Sequence, residues 1–155
     1  MNKTSAFPAG MSAVIPHLIC HDAPAAIDFY RRAFGAEEMF RLPAPDGRLM
    51  HAQIRIGGAA VMLVDAYPER GCQAPDPQRN SPVTLHLYVA DTDATMAQAV
   101  AAGATVTMPA ADMFWGDRYG RLRDPFGHEW SVATHVRDLS AEEILAAAQQ
   151  ACCPG

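Results

Sequence analysis

The chain has 155 residues, with 12 Lys and Arg against 17 Asp and Glu and a formal charge of −5. That length suits one domain, and a content of 50% apolar and 19% charged residues excludes a disordered chain. The acidic balance, with no block of Lys and Arg, excludes a nucleic-acid footprint, which needs clustered cations facing phosphates, and leaves a small-molecule ligand as the expected partner.

Residues 1–12, MNKTSAFPAGMS, read as a flexible N-terminus without the apolar core of a signal peptide, and no later run approaches the roughly 20 apolar residues that cross a bilayer. No membrane partner and a cytoplasmic location are expected. Residues 13–21, AVIPHLICH, form a strand-like run; Asp22 then opens the helical segment APAAIDFYRRAFG, which Gly35 closes. Three strand candidates follow, AEEMFRLPA, LMHAQIRI and AAVMLVDAY, separated by the hairpin pairs Asp46-Gly47 and Gly57-Gly58. A Pro-rich linker occupies 67–81. The same grammar then recurs: the run 82–90, PVTLHLYVA, Asp91 as a cap, a helix closed by Gly103, and three strands ending in HEWSVATHV. The expected organisation is one domain over 13–139, with repeat one at 13–66 and repeat two at 82–136. Ser140 and Glu143 form a capping box ahead of AEEILAAAQQA, so residues 140–155 read as an appended helix and tail, packed on the domain or on a second subunit. Cys20, Cys72, Cys152 and Cys153 lack CxxC spacing and read as free thiols.

One segment concentrates recognition chemistry: Phe114, Trp115, Gly116, Asp117, Arg118, Tyr119, Gly120 and Arg121. Its aromatics bring contact area, its glycines permit close backbone approach, and Arg118 or Arg121 can clasp an anionic group. The competing reading has Trp115 and Tyr119 plugging the end of a sheet while Asp117 and Arg118 form a solvated pair. Tyr88 shares a strand face with His86 and adds a stacking surface, or is an ordinary core tyrosine. His21 and His135 read as surface groups, and the face of His51 is left open because LMHAQIRI is apolar on both parities. Cys20 lies on the opposite parity from His17, against a Cys–His nucleophile pair. No Gly-rich phosphate loop and no GxSxG elbow occurs, so NAD, ATP and serine-hydrolase chemistry have no motif.

Two tandem βαβββ units, with AIDFYRRAFG after Asp22 in the first and Asp124-Pro-Phe-Gly-His128 in the second, resemble the vicinal oxygen chelate superfamily. That group includes glyoxalase I, bleomycin-resistance proteins and extradiol dioxygenases, and the resemblance spans about residues 13–136. It implies an α+β fold in which a cupped mixed sheet encloses a cavity with the 114–121 segment at its mouth, and a homodimer. It also implies four metal-ligand positions, which fall on Ile15, Leu63, Thr84 and Ser131, two of them without a donor atom and two of them poor ligands. No cofactor is therefore expected at the standard positions. Positions two residues away carry His17, Asp65, His86 and Glu129, and two imidazoles with a carboxylate could form a shifted set for Zn, Ni, Mn or Fe. The alternative is that they are polar cavity-wall groups.

Three functions follow as expectations. The first is a glyoxalase/bleomycin-resistance-like protein that holds a small organic ligand on Trp115, Tyr119, Tyr88 and Phe114 with Arg118 or Arg121. The second is a metal-dependent lyase, isomerase or dioxygenase using His17, His86 and Glu129. The third is a dimeric interaction module with a filled cavity.

Overall fold

Both internal helices begin and end where the sequence places their caps. In the computed structural model, which describes residues 4–152, Asp22 accepts from the amide of Ala25 at 3.0 Å and α1 runs Ala23–Phe34. Gly35 closes it at φ 65°, a left-handed position that a side chain would strain. Asp91 repeats the cap at 2.9 Å to Ala94, and α2 runs Thr92–Ala102. The expected thiol of Cys153 lies outside the described residues, as does the start of the expected flexible N-terminus. No helix among the described residues is long and apolar enough to cross a membrane.

Eight strands complete the two repeats. Repeat one contributes β1 (His17–Cys20), β2 (Glu37–Pro43), β3 (Leu49–Ile56) and β4 (Ala59–Asp65); repeat two contributes β5 (Thr84–Tyr88), β6 (Thr105–Asp112), β7 (Asp117–Arg123) and β8 (Glu129–His135). Each set forms a four-stranded sheet of the same order, β1-β4-β3-β2 and β5-β8-β7-β6, with the first strand parallel to the last and the rest antiparallel. The first strand of each repeat is shorter than its apolar run: β1 starts after Pro16, which has no amide hydrogen to give a ladder, and β5 after Val83, whose amide bonds the Ser81 hydroxyl instead. The linker holds a 3-10 turn at Pro68–Arg70, and α3 (Ala141–Cys152) follows the capping box, in which Ser140 and Glu143 exchange bonds.

One face of each sheet is covered by its own helix, and the two helices pack on each other. Ile27, Phe29 and Tyr30 of α1 are 0–1% exposed among Leu63, Leu122, Trp130 and Val132, each worth about 1.5–3 kcal/mol of apolar burial. Tyr30 and Phe34 stand against Trp130, at ring separations of 5.4 and 4.8 Å, so repeat one is keyed into repeat two by aromatic contact. Asp124 completes the joint. Its buried carboxylate accepts from the Tyr30 hydroxyl at 2.6 Å, the Trp130 indole at 2.9 Å and the amides of Phe126 and His128, both at 2.9 Å. Burial, reinforced by the Asp124 carboxylate, pushes the Tyr30 phenol well above its ordinary range and keeps it a donor.

The Gly116 and Gly120 positions, expected to bring backbone close to a ligand, serve the fold instead. A side chain at Gly120 would strike Met96 of α2, and one at Gly116, where φ is 102°, would strike the Arg137 carbonyl.

Removing the shared acceptor strands four donors, two buried and two part-buried, so Asp124→Ala is expected to destabilise the protein by about 3 kcal/mol or more, and Tyr30→Phe by about 1 kcal/mol, measured as shifts of the urea midpoint.

Candidate functional site: the open face of repeat two

The face of the second sheet turned away from α2 is built by strand alternation. Three rows cross it in register: Tyr88, Ala133 and Tyr119; then His86, Ser131 and Arg121; then Thr84, Glu129 and Arg123. The first row continues into the β6–β7 turn, which carries Phe114 and Trp115. The rings converge there: His86 meets Tyr88 edge-on at 4.6 Å and Tyr119 in near-parallel planes at 6.0 Å, while Trp115 meets Tyr119 at 5.5 Å and Phe114 at 5.0 Å. Phe114, Trp115, Tyr119 and Tyr88 thus lie together, with His86 added, and Tyr88 is 60% exposed rather than a core tyrosine.

Asp117 is the residue that sequence reasoning misplaced. It is buried beneath this cluster and accepts from the Tyr88 hydroxyl at 3.1 Å, the Trp115 indole at 3.2 Å and His135 Nδ1 at 2.8 Å. Burial alone would raise its pKa, but the hydrogen bonds from His135, Tyr88 and Trp115 outweigh that and hold the carboxyl below its ordinary range. Its parity with Tyr119 and Arg121 on β7 was the available signal. His135, expected at the surface past the last strand, ends β8 and is half-exposed between two carboxylates, bonding Asp117 and, at 2.8 Å, Asp138. Asp138 first and Asp117 second raise its pKa.

Arg118 is not on this face. The alternation of β7 turns it toward α2, where it pairs with Asp93 and, at 3.1 Å, with Asp112, so neither the ligand-clasping role nor the pair with Asp117 holds. Arg121 remains on the face, one row from Tyr119, and donates to Thr84 at 3.1 Å.

The metal positions do not fit a metal. Ile15 and Leu63 offer no donor, Thr84 takes the Arg121 bond, and Ser131 is engaged by His86 Nδ1 at 2.7 Å. The β1–β4 register also corrects the expected faces. His17 pairs with Met62, while Leu63 and Asp65 lie on the buried side, where Asp65 accepts from the amides of Ala23 and Leu49, both at 2.6 Å. Among the described residues no three His, Cys, Asp or Glu side chains are grouped to hold an ion. The shifted set is accordingly not brought together. His86 faces the aromatic cluster, Glu129 is bonded to Arg123 at 2.7 Å, and His17 stands 5.7 Å from His51, which settles His51 on the open face of repeat one. Burial, then the neighbouring His51, lowers the pKa of His17. His17 and Glu129 do share one feature, a groove of about 630 Å³ between β1, the linker and β5, walled by Ile15, Leu18, Pro75 and Leu85.

A family model described as the Glyoxalase/Bleomycin resistance protein/Dioxygenase superfamily matches residues 13–132, both repeats. The chain belongs to that superfamily. Within it, an uncharacterised protein of Mycobacterium tuberculosis is 49% identical over 138 residues, 87% of this chain and 81% of its own. Among solved structures, TioX from Micromonospora sp. ML1 is 29% identical with a TM-score of 0.62, over 81% of this chain and 99% of its own. The Arabidopsis thaliana gene product is 25% identical with a TM-score of 0.64, over 79% of this chain and 98% of its own. The tandem βαβββ architecture of the superfamily is the one described above.

The Asp117–His135 contact makes a pH-dependent prediction for this superfamily member. With its pKa raised above 6.5, His135 contributes stability that is complete below pH 6.5 and lost as the pH rises through its folded midpoint. Asp117, lowered from 3.8, contributes above that value and loses its contribution as the pH falls through its own lower midpoint. An NMR titration of the His135 ring should show a midpoint above 6.5, moved down toward it by Asp138→Asn.

Proposed function

We propose that this superfamily member is a cytoplasmic, homodimeric binder of a small organic ligand, held on the aromatic face of repeat two without a metal at the standard positions. The observation that carries the reading is the cluster of exposed Tyr88 and His86 with half-buried Trp115 and Tyr119, in which Tyr88 and Trp115 donate to Asp117 and His86 is bonded to Ser131 from beneath. Rings fixed by buried acceptors offer stacking area at little further ordering cost. The unsuitable donors at Ile15, Leu63, Thr84 and Ser131 support a reading without the standard metal, and the free thiols of Cys20 and Cys72 accord with a reducing compartment.

The homodimer rests on the packing of α1 against α2. Because the helices occupy the inner faces, the aromatic face and the repeat-one face carrying Phe40 and Leu42, 51% and 43% exposed, stay largely uncovered among the described residues, with only Gly10 and Met11 lying beside Arg55 and Gln53. A second copy that sets one such face over the other would close both. Light scattering on a size-exclusion column should give twice the 16.7 kDa chain mass.

Binding is tested by tryptophan fluorescence. Trp130 is 3% exposed in the core, so a ligand on the open face should quench mainly Trp115. Titration with a panel of aromatic metabolites and glycopeptide-type antibiotics should find a quencher, and Trp115→Ala should remove the quench and weaken binding at least tenfold by calorimetry. A panel with no quencher, or binding unaffected by Trp115→Ala, overturns the reading. The groove of about 630 Å³ supports a second reading, because its volume suits a whole ligand. Binding that survives Trp115→Ala and is lost in Leu85→Trp would place the ligand there.

A further inference from the structure

Arg121 is the cation on the open face that lacks a countercharge. Its Nη2 donates to the Thr84 hydroxyl at 3.1 Å, its Nε is buried with no acceptor, and it joins no ion pair among the described residues. Its neighbour Arg123 differs: it is bonded to the buried carboxylate of Glu129 at 2.7 Å and also to Asn80. Both arginines and Glu129 border a polar pocket of about 230 Å³, completed by Asn80 and Ser81 from the linker and Thr107 from β6. Glu129 cancels one of the two positive charges, so the pocket presents a single uncompensated one.

We infer that the ligand of the repeat-two face is a monoanionic aromatic acid, its ring on Trp115 and Tyr119 and its carboxylate on Arg121. The inference rests on the aromatic-face reading above and adds the ligand's class. A carboxylate supplies two oxygens in the plane of the guanidinium fork, and its one charge matches the one left over. A phosphate dianion would bring a second charge against Glu129, which Arg123 already neutralises. The register sets the linker. Arg121 stands two residues from Tyr119 on one strand face, roughly 6.6 Å along it, so a short alkyl chain must separate ring and carboxylate. The small pocket beyond Arg121 receives the acid group while the ring stays on the aromatic cluster.

Calorimetry with benzoate, 3-phenylpropionate and 3-phenylpropanamide tests this on the full chain. In the wild type 3-phenylpropionate should bind at least tenfold more tightly than its amide and than benzoate, and rising NaCl should weaken the acid but not the amide. Arg121→Gln should bring the acid down to the affinity of the amide, Arg121→Lys should keep part of the preference, and Trp115→Ala should weaken acid and amide alike. Thermal melts of the variants within a few degrees of the wild type show that each is folded. Equal affinity for acid and amide, or an acid preference that survives Arg121→Gln, overturns the acid assignment while leaving the aromatic site standing. If neither compound binds the wild type, or if Trp115→Ala leaves both unchanged, the aromatic-face reading fails and the acid assignment goes with it.

Discussion

A single buried carboxylate decides how the two repeats meet. Asp124 belongs to repeat two, yet one of its oxygens is shared between Trp130 of that repeat and Tyr30 from the helix of repeat one. Its other oxygen fixes the amides of the Pro125-Phe126-Gly127 turn. A buried carboxylate is tolerable only when its oxygens are satisfied, so the turn, the indole and α1 have to arrive together. That requirement sets α1 and α2 side by side between the sheets. The geometric consequence is direct: the helices cover the inner faces, and the outer ones keep their polar and aromatic side chains.

Repeated architecture has not kept repeated chemistry. The first free amide of each helix is met by the end of the last strand of its own repeat, by the Asp65 carboxylate for Ala23 and by the Thr134 hydroxyl for Thr92. The geometry is common to both, while one repeat uses a charge and the other a neutral group. The outer faces diverge further. In repeat one, His17 and His51 stand edge to face beside Phe40, Met62 and Ile19, and desolvation favours the neutral imidazole of His17. In repeat two the corresponding strands carry a graded surface, aromatic at one end and arginine-rich at the other.

The elements were legible in the sequence because each is bounded by a residue with one job: Asp22 and Asp91 at helix starts, Gly35 and Gly103 at helix ends, Asp46-Gly47 and Gly57-Gly58 in hairpins. The aromatic cluster was legible for a related reason, since Tyr119 and Tyr88 lie on two strands of known parity and Trp115 in the turn that leads into one of them. Strand faces were legible only where polarity alternates. In β4, AAVMLVD, a central strand with apolar groups on both sides, nothing local says that Leu63 faces the core and Met62 does not. In β7, DRYGRLR, the opposite ambiguity holds: polar residues occupy both parities, and only Asp93, 25 residues back, and Asp112, six residues back, show that Arg118 has a partner elsewhere. Asp117 was hidden by the same strand, because a charge next to Arg118 reads as its ion partner until the pleat separates them.

The pleat of β7 therefore sorts its charges into two kinds. Arg118, on the helix side, is consumed by Asp93 and Asp112, and its salt bridges are surface contacts of small worth. Asp117, on the open side, spends its acceptors on Tyr88, Trp115 and His135, which immobilises two rings that a solvated carboxylate would leave free. Each ring so fixed spares a bound ligand part of the roughly 0.5–1.5 kcal/mol that ordering a side chain costs on association. The buried negative charge in turn needs the His135 proton or the phenol and indole donors to remain satisfied, so the order of the aromatic face and the ionisation of Asp117 are one equilibrium rather than two. The order of the aromatic face is thus set from below, by the buried Asp117 carboxylate.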